Sequence, residues 1–145
     1  MDMQNGEYRR WAEKHAPRSQ VGRNCLGAFV TGGAICCLGQ LLLTLFTALG
    51  LDEQAAGTAE SVALIALGAL LTALGVYDDL AALGRAGTLV PITGFSNSVA
   101  APALEFKTEG LVTGTAVKMF SIAGPVLVFG LAASVVYGLV LCILP

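Results

Sequence analysis

Three long uncharged stretches divide the chain and predict its architecture. Residues 24–51 carry no charged side chain over 28 positions, residues 61–77 none over 17, and residues 119–145 none over 27. A helix needs roughly 17–25 predominantly apolar residues to cross a bilayer. The pattern therefore predicts an all-α polytopic membrane protein. Its transmembrane helices are expected at about 25–50, 61–77 and 119–144, within a membrane domain of residues 24–145 that follows a polar arm of residues 1–23.

A fourth uncharged stretch, residues 86–104, has a different pattern because backbone breakers interrupt it. Pro91 disfavours a helical conformation at Val90, and Gly94 permits a turn that other residues resist. Non-helical backbone at membrane depth is tolerated only where protein buries it or water reaches it. We therefore expect a broken or re-entrant segment at about 86–109.

The second half of that segment predicts a short helix. Any residue of the run 96–98, Ser-Asn-Ser, can cap a helix that continues through Phe106, with Pro102 near its first turn. Gly110 is suited to end it. The expected form is a non-helical entry followed by a half-helix.

Charged residues between the stretches predict the topology. Five of the eight basic residues lie in the arm 1–23, whereas the expected loop 52–60 has three acids and no base. Cytoplasmic loops are enriched in Lys and Arg, so the N-terminus is predicted to be cytoplasmic. A re-entrant segment keeps Arg85, Lys107 and Lys118 on the cytoplasmic side, whereas a full crossing places the last two outside. Both possibilities stay open.

Composition narrows the function class. Hydrophobic residues make up 55% of the chain and charged residues 12%, about half the usual share of a soluble domain. No basic stripe indicates nucleic-acid binding. The single histidine, His15, lies in the polar arm, and no catalytic motif is present, so neither an enzyme nor a cofactor is predicted. The four cysteines lack metal-ligand spacing and are interpreted as small apolar packing residues.

A metal site is a weak alternative. Asp78 and Asp79, with Glu105 and Glu109, could hold a divalent cation, but adjacent aspartates at a helix end are more often solvated. We therefore predict no metal site.

Neutral polar side chains in the fourth stretch are the candidates for contact with a solute. Such groups are costly in lipid and tend to face the protein interior or a permeation path. The N-terminus of the expected half-helix would add partial positive charge that favours an anion. The candidates that line a pore or contact solute are Thr88, Thr93, Ser96, Asn97 and Ser98, and those of a charged mouth are Arg85, Glu105, Lys107 and Lys118. The alternative for the hydroxyls is a packed hinge, and for the two lysines contact with lipid headgroups.

Small residues four apart predict the helix–helix contacts, because they allow backbones to approach closely in lipid. A glutamine within a span usually bonds another helix, although it can also line a pore. The predicted packing residues are Ala28, Gly32 and Gln40 in the first span and Gly130, Ser134 and Gly138 in the last.

Four stretches of the sequence resemble one known family. They are YRRWAEKHAPRSQVGRNC at 8–25, AFVTGGAICCLGQLL at 28–42, AGTLVPITGFSNSVAAPALEFKTEG at 86–110 and AVKMFSIAGPV at 116–126. Together they resemble the stage V sporulation protein AC family of endospore-forming bacteria over nearly the whole chain. The run PALEFKTEG and the long arm favour this type over its AE-type sibling. Ser96 and Arg85 depart from the family pattern, which weakens a functional role for these two side chains.

The resemblance implies a function that the residues alone do not. It implies a subunit of the SpoVA complex in the forespore or inner spore membrane, which moves dipicolinic acid with calcium during sporulation and germination. The implied partners are the lipid bilayer, an AE-type membrane subunit and a soluble AD-type subunit. Whether free dipicolinate or its calcium chelate is the solute stays open, as does a scaffold subunit that packs the channel without lining it.

Overall fold

The computed structural model describes Trp11 and residues 20–143, and the rest of the predicted polar arm lies outside the described residues. Residues 20–143 contain helices and turns but no strand. The helices are α1 (Val21–Ala48), α2 (Glu53–Ala73), α3 (Val76–Gly84), α4 (Pro91–Glu105) and α5 (Val117–Ile143). Two 3₁₀ segments, Arg85–Leu89 and Lys107–Glu109, flank α4, and a π-helical segment, Leu111–Ala116, leads into α5.

Three helices are long and apolar enough to cross a membrane: α1, α2 and the continuous helix Leu111–Ile143. Helix α4 has only 15 residues, a length of about 22 Å, which is shorter than the roughly 30 Å of a bilayer core. The all-α membrane fold with three spans and one broken segment is therefore confirmed. Whether that segment crosses or re-enters the membrane stays a prediction.

The link between the first two spans is much shorter than the expected loop 52–60. Helix α2 begins at Glu53, so Glu60 lies inside the helix. Asp52 has the extended backbone of an N-cap position, and an acid in the first turn suits the helix dipole. The hydroxyls of Thr58 and Ser61 donate to carbonyls one turn back, which absorbs their polarity. Reading these charges as a loop was wrong because helix α2 already begins at Glu53.

The expected half-helix is also longer than predicted. It begins at Pro91 rather than near Ser98, because the extended Val90 places Pro91 in the first turn, where a missing N–H costs least. Gly94 is therefore helical and makes no turn. Pro102 lies deep in the helix, and the helix ends at Glu105 rather than at Gly110. The predicted capping role of the run 96–98 is accordingly wrong.

Turns with positive φ redirect the chain at three glycines, the first of which is Gly50, with φ of 94°, between α1 and α2. Gly75, with φ of 72°, separates α2 from α3, and Gly110, with φ of 102°, separates the broken segment from the helix leading to α5. Only glycine adopts such angles without strain. Together they place α3 and α4 beside α1 and α2, while α5 packs mainly on α4.

Few apolar side chains are buried within residues 20–143. They are Ala56, Leu64, Tyr77 and Ala123, and of these only Ala123 belongs to α5. A soluble protein of this size would bury large side chains in a core. The exposed apolar surface is instead available to lipid or to other subunits.

Candidate functional site

The 3₁₀ segment Arg85–Leu89 lies directly against α1. Gly87 is buried, and a Cβ there would come within 2.8 Å of the Cα of Ala28. A Cβ at Gly32 would lie 3.4 Å from the carbonyl oxygen of Gly87. The predicted small residues Ala28 and Gly32 therefore contact the start of the broken segment rather than another long span.

Two hydrogen bonds also fix the 3₁₀ segment Arg85–Leu89 in place. The Tyr77 hydroxyl donates to the carbonyl of Thr88 at 2.8 Å, and the Thr88 hydroxyl donates to the carbonyl of Arg85 at 3.1 Å. Both Tyr77 and Thr88 are buried. Arg85 is exposed and has a φ of 51°, a conformation that L-residues other than Asn and Asp adopt rarely. Packing against α1 and these hydrogen bonds thus fix the segment that precedes α4.

Two polar contacts join α2 to α4. The Ser96 hydroxyl donates to the carbonyl of Ile65 at 2.8 Å, close to Gly68, where a Cβ would come within 3.2 Å of the Ser96 side chain. The Thr72 hydroxyl lies 2.7 Å from the carbonyl oxygen of Gly68 and 2.9 Å from Oδ1 of Asn97. One hydroxyl proton cannot serve both acceptors well. All groups are satisfied if Thr72 donates to Gly68 and the Asn97 amide is turned so that its nitrogen donates to Thr72.

The Thr72–Asn97 contact should contribute measurably to stability. We expect Thr72→Val and Asn97→Leu to destabilise the protein less in combination than the sum of the single changes. The expected coupling is about 0.5–1.5 kcal/mol, as for hydrogen bonds between membrane helices. Unfolding of the purified protein in mixed micelles measures it, with Thr44→Val as a control because Thr44 bonds only within its own helix. Strictly additive losses would contradict the contact.

Thr93 differs from its neighbours because its hydroxyl has no hydrogen-bond partner although the residue is only 5% exposed. It lines a cavity of about 220 Å³ between α1, α2, α3 and α4, together with Thr31, Tyr77 and Thr88. Most of the remaining lining is apolar. The cavity is large enough for water, which could satisfy the Thr93 hydroxyl.

Ser98 faces another space. It lines a groove of about 510 Å³ between α4 and α5, with Pro91, Gly94, Phe95 and Val126 among the lining residues. Its hydroxyl donates to the carbonyl of Phe95 at 2.8 Å. Because Pro102 has no N–H, the carbonyl of Ser98 also lacks its usual helical donor. Of the five candidates for solute contact, Ser98 alone lines this groove.

The candidates for a charged mouth lie at two places. Arg85 precedes α4, whereas Glu105 ends it and Lys107 follows it, so the helix length of about 22 Å separates Arg85 from the other two. Lys118 lies near the end of α4, with its Nζ 4.2 Å from the centre of the Phe106 ring, a cation–π distance. The structure therefore groups Lys118 with the end of α4 and leaves Arg85 apart.

The remaining predicted packing residues are exposed or have empty space beside them. Gln40 is exposed, and a Cβ at Gly130 or Gly138 would meet nothing within 4 Å. The Ser134 hydroxyl bonds its own helix at the carbonyl of Gly130, at 2.8 Å. This face of α5 has no neighbour among residues 20–143, so it is free to contact another subunit.

No metal centre is formed within residues 20–143, where no three His, Cys, Asp or Glu side chains come together. The alternative site at Asp78 and Asp79 with Glu105 and Glu109 therefore gains no support. The cysteines Cys25, Cys36, Cys37 and Cys142 are free and exposed.

One polar residue inside a span was missed by the sequence analysis. Glu60 lies seven residues into α2, about 11 Å along the helix from Glu53. Its Oε1 lies over the buried Gly39 of α1, 2.7 Å from where a Cβ would be. The helical spacing of Ala56, Glu60 and Leu64, with an N-cap residue type at 52, could have revealed that this carboxylate belongs to a helix.

Comparison with known proteins identifies the family to which this chain belongs. The profile of the SpoVAC/SpoVAEB sporulation membrane proteins matches residues 24–140. The chain belongs to this family. Stage V sporulation protein AC of Bacillus subtilis (strain 168) is 41% identical over 134 residues, which cover 92% of this chain and 89% of that protein. No solved structure shows significant similarity.

Membership of the SpoVAC/SpoVAEB family confirms the resemblance drawn from the sequence motifs. The matched residues include nearly all of α1 to α5, so the family pattern describes the membrane helices and the broken segment together. The chain is accordingly a multi-pass membrane protein with a role in sporulation.

Proposed function

We propose that this chain is a channel subunit that moves dipicolinic acid, alone or as its calcium chelate, across the inner spore membrane during sporulation and germination. The proposal is supported by its family and by the identity with the stage V sporulation protein AC. Neither the family description nor the name of the relative mentions a solute. The structural feature that supports a channel is the broken segment.

The observation that carries the proposal is α4, a helix too short to span, which is held between two longer helices. Its 15 residues are flanked by 3₁₀ segments at both ends, and its start is fixed against α1 by Gly87. Broken helices within a membrane domain occur where a solute or ion reaches bilayer depth. Along α4, Ser98 faces an open groove and Thr93 a cavity, so polar groups are presented to both spaces.

Partners are expected because three spans and a short helix are too few to enclose a solute path. We propose an AE-type membrane subunit beside this chain and a soluble AD-type subunit at its surface, with the N-terminus in the cytoplasm. The open Gly130, Ser134 and Gly138 face of α5 is a candidate contact for the membrane partner.

A scaffold subunit is the second candidate, and a specific observation favours it. Ser96 and Asn97, two of the residues expected to contact solute, form the contact between α2 and α4. A subunit of this kind would support the complex without lining its path.

A bulky change at Ser98 separates the two candidates. If this subunit lines the path, Ser98→Leu should slow dipicolinate release severalfold because leucine fills the α4–α5 groove. Ser98→Ala should remain close to wild type. Release is measured from germinating spores of a strain that carries the variant as its only copy, after co-purification has shown that the complex assembles.

Two results would count against these ideas. Unchanged release in an assembled Ser98→Leu complex would favour the scaffold role. Normal dipicolinate content and release in spores that lack the chain altogether would contradict both candidates.

A further inference from the structure

The side chains of Gln40 and Glu60, on the two long helices α1 and α2, have no partner within residues 20–143. Gln40 is exposed, eight residues before the end of α1, and Glu60 is partly buried in α2. Neither side chain makes a hydrogen bond or an ion pair with any described residue. Polar and ionisable groups inside a membrane are costly and almost always face a partner or a water-filled cavity.

Glu60 lies where the three membrane elements meet. Its carboxylate covers Gly39 of α1 and lines a groove of about 360 Å³, together with Gln40 and with the start of α4 at Pro91 and Ile92. The absence of a side chain at Gly39 leaves the space that the carboxylate occupies. Gly39 is nine residues from the end of α1, about 14 Å along the helix, and both α1 and α2 are long and apolar enough to cross a membrane.

A second groove extends from this site toward the start of α2. It has a volume of about 560 Å³ and is lined by Gln40 and Leu43, which also line the first groove, and by Thr44, Thr47, Ala48 and Glu53. Glu53 is the first residue of α2. Polar residues therefore follow one side of the α1–α2 pair from Glu53 to Glu60, with the hydroxyls of Thr44 and Thr47 donating to carbonyls of their own helix.

This continuity favours water over lipid or a single partner helix. Lipid cannot satisfy the amide and the carboxylate. A partner helix would need only one polar residue at the contact, whereas a row of polar residues along one side of the helix pair is expected of a hydrated cleft. We propose that the two grooves form one water-filled cleft in which the Glu60 carboxylate attracts small cations. The cleft rests on the proposed channel function, in which calcium accompanies dipicolinate and is the cation that the cleft would attract.

The charge balance points to a cation as the ligand. Within residues 20–143, no basic side chain is among those that line either groove. A carboxylate with no basic partner among the lining residues leaves negative charge in the cleft, and a cleft lined by one sign of charge raises the local concentration of counter-ions. The cleft differs from the predicted solute-contact residues, which lie on α4 and its flanks, and it includes Gln40, for which the sequence left pore lining open as an alternative to packing.

Cysteine labelling tests the cleft directly. The four native cysteines are replaced by alanine, and Gln40→Cys, Thr44→Cys or Val62→Cys is introduced into the full chain. Membrane vesicles from sporulating cells are treated with trimethylammonium and sulfonate methanethiosulfonates, neither of which partitions into lipid. We expect modification at positions 40 and 44. Position 62 should not react, because Val62 is exposed but lies about 160° around α2 from Glu60 and lines neither groove.

The ratio of the modification rates with the cationic and the anionic reagent reports the charge of the cleft. At position 40 the cationic reagent should react at least about fivefold faster than the anionic one, the ratio expected for a unit charge some 8 Å away in water. Glu60→Gln should bring the ratio close to one. If Glu60→Gln fails to assemble, Gly39→Ala serves instead, because its methyl group would displace the flexible carboxylate.

Several outcomes would overturn the proposal. Protection of positions 40 and 44 would show that lipid or a partner helix covers the groove, and equal modification at position 62 would remove the evidence for a cleft. A rate ratio that survives both Glu60→Gln and Gly39→Ala would refute the role of Glu60. Dipicolinate is not part of this readout, so failure of the channel function in the spore experiment is distinguishable from failure here.

Discussion

Replacing Gly87 by leucine is expected to destabilise the membrane domain by about 3 kcal/mol, the upper part of the range for overpacked sites. A Cβ at this position would already come within 2.8 Å of the Cα of Ala28, and that neighbour is backbone that cannot rotate away. The 3₁₀ segment would have to leave α1 and release the start of α4. Unfolding of the purified protein in mixed micelles, followed by circular dichroism, measures the loss.

Gly33→Leu provides the matched control for this change. Gly33 is in α1 and is exposed, and a Cβ there would meet no atom within 4 Å. The variant should unfold within about 0.5 kcal/mol of wild type, as is usual for exposed positions. Equal stability of the Gly87 and Gly33 variants would contradict the close contact between α1 and the broken segment.

Ser134→Leu is expected to dissociate the complex without unfolding the subunit. The Ser134 side chain bonds only its own helix, and the face it shares with Gly130 and Gly138 meets nothing among residues 20–143. A leucine there would keep a partner helix from close approach, and a loss of about 1.4 kcal/mol already lowers affinity tenfold. Co-purification of the other membrane subunit from detergent extracts gives the readout.

Val136→Leu tests whether position rather than bulk matters. Val136 is exposed on the same helix, about 160° around from Ser134. The Val136→Leu variant should still co-purify with the membrane partner. Retention of the partner by both variants would show that the small-residue face is not an interface, and loss in both would indicate that α5 is bound on all sides.

The spans could be predicted because their physics is local. A run of apolar residues long enough for the bilayer is visible in any window of the sequence, and α1 and α5 follow from that alone. The breakers at Pro91 and Gly94 likewise indicated an irregular segment. They could not show that Pro91 begins a 15-residue helix, since proline suits both a first turn and an interruption.

Prediction failed where tertiary contacts satisfy polar groups. Ser96 and Asn97 were expected to cap a helix, yet their partners Ile65 and Thr72 lie some 25–31 positions earlier in the chain. Their contact with solute stays a prediction. No local pattern contains that pairing. Glu60 was assigned to a loop because a charge inside a span is rare, and its place over Gly39 depends on how α1 and α2 meet.

The short helix α4 also has a consequence for how the protein is made. Spans long enough to be stable in lipid can insert one after another as the chain is synthesised, whereas α4 is too short to be held by lipid alone. Its two anchors, the surface of α1 at Ala28 and the carbonyl of Ile65 on α2, exist only once both earlier helices are in the membrane. Biogenesis thus has an order, in which the spans enter first and the broken segment docks onto them afterwards.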